Sequence, residues 1–197
     1  DSTVLAFKLR HHADETQVVR VKTIIAVMFS QLAGDCGWRS IHRQMLDWAA
    51  DLHEVGLSVS HSHYQQHSAY LVQQSDMPGF TTTEQQFLAA LVQFHRREIV
   101  GDFAQALPVR LHQALKQCLL ALRLACIFSR SRDEAALPEP KIRYQKHSFI
   151  LTLGEDWMRA HPLTMHDLQI EAFEARPTGI NLRIESFRPG QTGASNG

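Results

Sequence analysis

From Asp14 onward, apolar side chains return every three or four positions, the spacing of one helix face. Val18, Val21, Ile25, Met28 and Leu32 form the first stripe. Asp14 with Gln17 three residues on resembles a capping box at its start, and Gly34 to Gly37 ends it. Ile41, Met45, Trp48 and Leu52 mark a second helix that carries His53 and Glu54 and stops at Gly56. A third takes in His67 to Gln74 and is broken by Ser75-Asp76-Met77-Pro78-Gly79. Thr83 with Gln86 is placed to cap a helix carrying Phe87, Leu88, Leu91, Val92 and His95. The longest helix is expected after Pro108, with Leu115, Leu119, Leu122 and Cys126 on one side.

The pattern then changes. Ala136 to Pro140 holds two prolines that bar helix for themselves and their predecessors, so it reads as a stiff linker. KIRYQ and SFILTL alternate as two strands joined near Lys146 and His147. Thr164 with Asp167 opens another expected helix, and GINLRIESF reads as a third strand with Ile180, Leu182 and Ile184 on one face. The polar, glycine-rich ending is expected to be disordered. The fold class is therefore mostly α: a helical domain over 1–136, a small α+β lobe with a short antiparallel sheet over 141–188, and a tail over 189–197.

Composition narrows the function. With 197 residues and 44% hydrophobic content the chain can bury a substantial core. Twenty Lys and Arg balance twenty Asp and Glu, so whole-molecule attraction to nucleic acid or an anionic membrane is not indicated. Any polyanion site must be a local cluster. No run approaches the roughly 18 apolar residues of a membrane span. Cys36, Cys118 and Cys126 lack paired spacing, which suits a reducing cytosol. The chain opens without Met inside an expected helix and without the form of a signal peptide, so it reads as part of a longer, cytoplasmic protein.

The chemistry concentrates between Trp48 and Tyr70, where His53 and Glu54 are followed by His61, His63 and His67. Taken as local structure, His53 is a helix-terminal histidine on the negative end of the dipole, with Gly56 as a left-handed cap. The layout also resembles the HD superfamily of metal-dependent phosphohydrolases, whose His–Asp pair and more distant His and Asp hold a divalent metal that activates water. On that resemblance Gln17 stands at the first His, His53 matches, Glu54 replaces the Asp, and Cys126 stands at the last carboxylate. An amide and a buried thiol suit a hard cation poorly, so no metal and no catalytic residue are expected here. His53, Glu54, His61 and His67 are expected to form a vestigial polar network instead.

Three segments carry a closer resemblance: LHEVGLSVSHSHYQQHSAYLVQQSDMPGF, EQQFLAALVQFHRRE and LRLACIFSRSR. In that order they are similar to the C-terminal half of the exopolyphosphatase / guanosine pentaphosphate phosphohydrolase family. The resemblance implies an HD-like helical domain plus a small lobe. It also implies a bacterial enzyme releasing terminal phosphate from polyphosphate or guanosine pentaphosphate. The glycine-rich phosphate loops and the Mg²⁺ of that chemistry are implied for N-terminal catalytic domains, and no G-x-G loop following a strand occurs in this chain. The expected partners are polyphosphate, those N-terminal domains and a second copy of the chain. Arg96, Arg97, Arg130, Arg132 and Lys141 are the expected polyphosphate-binding track. The competing reading is an active HD-type metal-dependent phosphohydrolase acting on a nucleotide.

Overall fold

The computed structural model describes residues 2–100, 102–130 and 140–188. The linker over 136–139 and the tail over 189–197 lie outside them. Helix α1 (Ser2–Arg10) leads into α2 (Glu15–Cys36), which at 22 residues is longer than the helix after Pro108. The Asp14 carboxylate accepts the Thr16 and Gln17 N–H groups, a cap worth about 1 kcal/mol. Gly37 ends α2 in the left-handed region at φ 65°, where a side chain would be strained.

Helix α3 (Ser40–Leu52) is followed by a single 3₁₀ turn, Val55–Ser58, and by α4 (Tyr64–Gln74). Gly56 is not a left-handed cap. A β-carbon there would lie 2.1 Å from the Tyr64 carbonyl oxygen and 2.5 Å from the Ser68 nitrogen, so glycine is required by the close approach of α4. Helix α5 (Thr82–Phe94) begins two residues earlier than its spacing suggested. Thr81 and Glu84 form the reciprocal capping box, because Glu84 reaches back to the Thr81 N–H at 2.8 Å.

Helix α6 (His112–Ser129) is the core of the molecule, with Leu115, Leu119, Leu120 and Leu122 fully buried. Contrary to the expectation from sequence, Val109–Ser129 is long and apolar enough to cross a membrane by length and composition. Lys116 and Arg123 interrupt the run without lowering its average hydropathy enough. Within the protein, 72% of its apolar 18-residue window is buried, so its apolar surface is already satisfied by α2, α3, α5 and the lobe.

Strands β1 (Lys141–Gln145) and β2 (Ser148–Gly154) form an antiparallel hairpin whose two turn residues, Lys146 and His147, both have positive φ. Strand β3 (Asn181–Phe187) pairs with β2 in parallel, so the sheet is mixed rather than antiparallel. The physical reason is the connection. Helices α7 (Glu155–Ala160) and α8 (Pro162–Glu174) carry the chain back to the start of β2, as a parallel pair demands. Phe149, Leu151, Leu153 and Leu182 point into a hydrophobic core continuous with that of the helices. The exposed edge of β1 is closed by α2. Gln31 accepts from the Ile142 N–H at 2.8 Å and donates to the Pro140 carbonyl at 2.9 Å, and Asp35 accepts from the Tyr144 N–H and binds Arg143.

Candidate functional site

Two helices end on the same device. At the end of α3, His53 donates its Nδ1 proton to the Ala50 carbonyl at 2.8 Å. At the end of α5, His95 donates to the Val92 carbonyl at 2.6 Å. Both satisfy a last-turn carbonyl that has no helical partner. Ser68 of α4 fixes the first terminus by accepting from the Gly56 N–H at 2.8 Å and donating to the His53 carbonyl at 3.0 Å. The two imidazole rings meet edge to face, 5.0 Å apart, and each histidine is only 2% exposed.

These rings border a cavity of about 220 Å³. Gln17 reaches it from α2 and Cys126 from α6, Glu54 and Tyr64 from the segment around α4, and Arg96 and Arg130 from beyond the ends of α5 and α6. The four positions compared with HD metal ligands, Gln17, His53, Glu54 and Cys126, therefore all line one cavity. The folded chain brings them together across more than a hundred residues of sequence.

Its electrostatics do not suit a divalent cation. Burial pushes the Cys126 thiol up to about 12, with the Glu54 carboxylate adding to the shift, so the sulfur stays protonated. Burial lowers His53 while Glu54 works against it, and burial together with His53 holds His95 well below the usual histidine range. With Nδ1 donating and the ring neutral, each Nε2 is an acceptor. His95 Nε2 is buried without a partner, and His53 Nε2 stands 3.8 Å from Glu54, beyond hydrogen-bond reach. Among the described residues no three His, Cys, Asp or Glu side chains are grouped to hold an ion. The HD metal does not fit the residues present.

The cations are distributed differently from the sequence expectation. Arg96 lies 4.6 Å over the Tyr64 ring, and Arg130, 51% exposed, is paired with Asp167 of α8 at 2.9 Å. Both line the cavity. Arg97 is exposed with φ 65° and does not line it, because the chain turns away immediately after Arg96. Lys141 lies 4.7 Å over Phe187 in a separate hollow of about 440 Å³ that also takes in Glu155 and Arg188. Arg132 lies outside the described residues. His61 is exposed and His67 half-buried, and neither joins His53 and Glu54 at the cavity. Their place in the expected network is taken by His95 and Tyr64. A signal for His95 was present in the sequence: FHR repeats the LHE arrangement of an apolar helix ending in His followed by a charge.

The family described as Ppx/GppA phosphatase, domain III, matches residues 1–172. A guanosine-5'-triphosphate,3'-diphosphate pyrophosphatase of Pseudoalteromonas translucida (strain TAC 125) is 29% identical over 184 residues, covering 92% of this chain and 37% of that protein. Proteins of the same name from two strains of Vibrio cholerae are 31% identical over 189 residues, covering 93% of this chain and 37% of theirs. The chain thus spans a little over a third of the length of these relatives.

Proposed function

The chain belongs to the Ppx/GppA phosphatase family and corresponds to its domain III, and from that premise we propose that it is a non-catalytic, polyphosphate-binding and self-associating region of a bacterial cytoplasmic hydrolase. The parent activity in this reading is release of terminal phosphate from polyphosphate or guanosine pentaphosphate. The catalytic step and its Mg²⁺ are assigned to N-terminal domains that would be this region's covalent partner. The carrying observation is a cavity at which Gln17, His53, Glu54 and Cys126 meet and which two arginines, Arg96 and Arg130, also line. Guanidinium groups give phosphate oxygens paired donors, and several in one place attract a polyanion although the net charge is zero. The relatives' name, which describes action on a guanosine nucleotide carrying two phosphate chains, supports the same substrate class.

The test is binding of fluorescently labelled long-chain polyphosphate across a salt series. Affinity should fall steeply with salt as condensed counterions are displaced. Changing Arg96→Ala together with Arg130→Ala should weaken binding roughly tenfold or more, since exposed charges are each worth on the order of 1 kcal/mol. Equal affinities in the two proteins would remove these arginines from the site. The chain alone should release no phosphate from either substrate, and light scattering at micromolar concentration should give a dimer mass; a monomer mass would withdraw the self-association.

A further inference from the structure

The cavity contains groups that can only accept as well as groups that can only donate. Glu54 offers carboxylate oxygens, 14% exposed by its side chain, and the neighbouring His53 Nε2, itself an acceptor, stands 3.8 Å away. His95 Nε2 is a second acceptor, since the ring's one proton is given to Val92, and it is buried without a partner. An unmet buried acceptor is costly, and it is met when a bound molecule supplies an O–H or N–H. Against these stand the guanidinium groups of Arg96 and Arg130, which accept nothing and call for negative oxygens. The complementary ligand is therefore an anion that also carries a proton. A fully deprotonated oxyanion would set its own lone pairs against Glu54 and His95.

Size narrows the choice further. At about 220 Å³ the cavity is below the range of roughly 300 to 1,000 Å³ typical of drug-sized ligands. That size suits a single tetrahedral group. We propose that this cavity seats one protonated phosphate group, either inorganic phosphate or the end of a short phosphate chain, and that Glu54 and His95 select it over sulfate. Arg96 and Arg130 supply the attraction. The acceptors supply the selectivity, because phosphate keeps at least one proton near neutral pH and sulfate keeps none. The site rests on the cavity alone and does not depend on long-chain polyphosphate binding.

Isothermal titration of the 197-residue chain at pH 7 and low salt, with inorganic phosphate and with sulfate, tests this directly. Phosphate should bind, and sulfate should bind roughly tenfold or more weakly, the worth of one buried acceptor left facing an oxygen. Glu54→Gln introduces an amide that can donate, so sulfate affinity should rise and the preference should collapse. Arg96→Ala should weaken both anions. If Glu54→Gln does not fold, ³¹P line broadening of phosphate on the natural chain, reversed by excess phosphate but not by equal sulfate, reads the same selectivity. Sulfate binding as tightly as phosphate, no saturable phosphate binding, or an unchanged ratio in a folded Glu54→Gln protein would each overturn the proposal. Tripolyphosphate separates the two sources. Displacement of bound phosphate by it supports a chain-end seat, and failure to displace supports a seat for free phosphate.

Discussion

Arg123 ties the cavity wall to the lobe, and its removal gives a measurable cost. Its Nε and Nη2 donate to the two carboxylate oxygens of Glu171 at 2.6 and 2.8 Å, while Nη1 donates to the Phe94 carbonyl at 2.6 Å. Both charged side chains are 5% exposed. The pair thus joins α6 to α8 and holds the peptide immediately before His95. Glu171→Ala leaves a guanidinium buried without its counter-charge, which costs about 3–5 kcal/mol. Arg123→Met strands the carboxylate and also leaves the Phe94 carbonyl unmet, so its cost should be at least as large. Changing both, Arg123→Met with Glu171→Leu, removes the charges together. What remains is chiefly the Phe94 carbonyl, at about 1–3 kcal/mol.

The double variant should therefore be more stable than either single one, a reversal that simple loss of contacts does not produce. Urea unfolding followed by circular dichroism gives the three free energies from midpoint and slope. A domain of this kind has roughly 5–15 kcal/mol in total, so either single variant should lose a large part of its stability. If Glu171→Ala costs less than about 1 kcal/mol, or the double variant is the least stable of the three, the reasoning about a desolvated pair is wrong.

Gly56→Ala should destabilise by more than about 2 kcal/mol in the same assay, because the clashing atoms are backbone of α4 and cannot rotate away; a neutral effect would contradict the close approach. Burial depresses the folded-state values of His53 and His95 below the ordinary 6.5, so the unfolded chain takes up protons first. Their contribution is fully present above about pH 6.5 and is lost as pH falls below it. Stability should drop between pH 7 and 5, and His95→Phe should flatten that slope; a profile indifferent to His95 would argue against a buried neutral ring. Restoring the HD donors with Gln17→His, Glu54→Asp and Cys126→Asp should give a protein that retains about one Mn²⁺ per chain by elemental analysis, and no gain over the natural chain would show that the geometry as well as the donors had been lost.

The helical core was legible because apolar spacing near 3.6 survives burial on all sides, as in α2 and α6. Boundaries were less so. Thr81 with Glu84 and Thr83 with Gln86 both have capping spacing, and only the fold shows which pair closes. Strand direction was not legible in β3: alternation in NLRIESF is the same whichever way it runs, and the six-residue α7 that helps reverse the chain has no periodicity of its own to betray it. At the site, Gln17, His53, Glu54 and Cys126 were identified by resemblance and meet at one cavity. His95 is placed on its helix by spacing, and its role at the cavity is visible only in the fold. Only part of the basic track reaches this cavity, for a geometric reason. Neighbours in sequence at a helix end point in different directions, so Arg96 reaches the cavity and Arg97 does not.

Charge separates this cavity from a site for a divalent cation. A site for a divalent cation surrounds it with carboxylates and neutral imidazoles, so that the empty cavity is strongly negative. Here one carboxylate, Glu54, faces two guanidinium groups, while the remaining ligand positions are a neutral amide and a thiol that burial keeps protonated. An anion brought to this place would meet the guanidinium groups of Arg96 and Arg130. Arg130 contributes less to that field than Arg96, because Asp167 already sits 2.9 Å from its guanidinium, outside the cavity lining. Among the described residues Arg96 has no carboxylate partner and rests against Tyr64, over its ring and in hydrogen-bonding reach of its side chain, which leaves its charge available to a ligand. Arg96→Ala should accordingly weaken phosphate binding more than Arg130→Ala, and Asp167→Asn should strengthen it by releasing Arg130. An Asp167→Asn protein that binds phosphate more weakly than the natural chain would show that the Arg130–Asp167 pair positions the cavity instead of competing with its ligand.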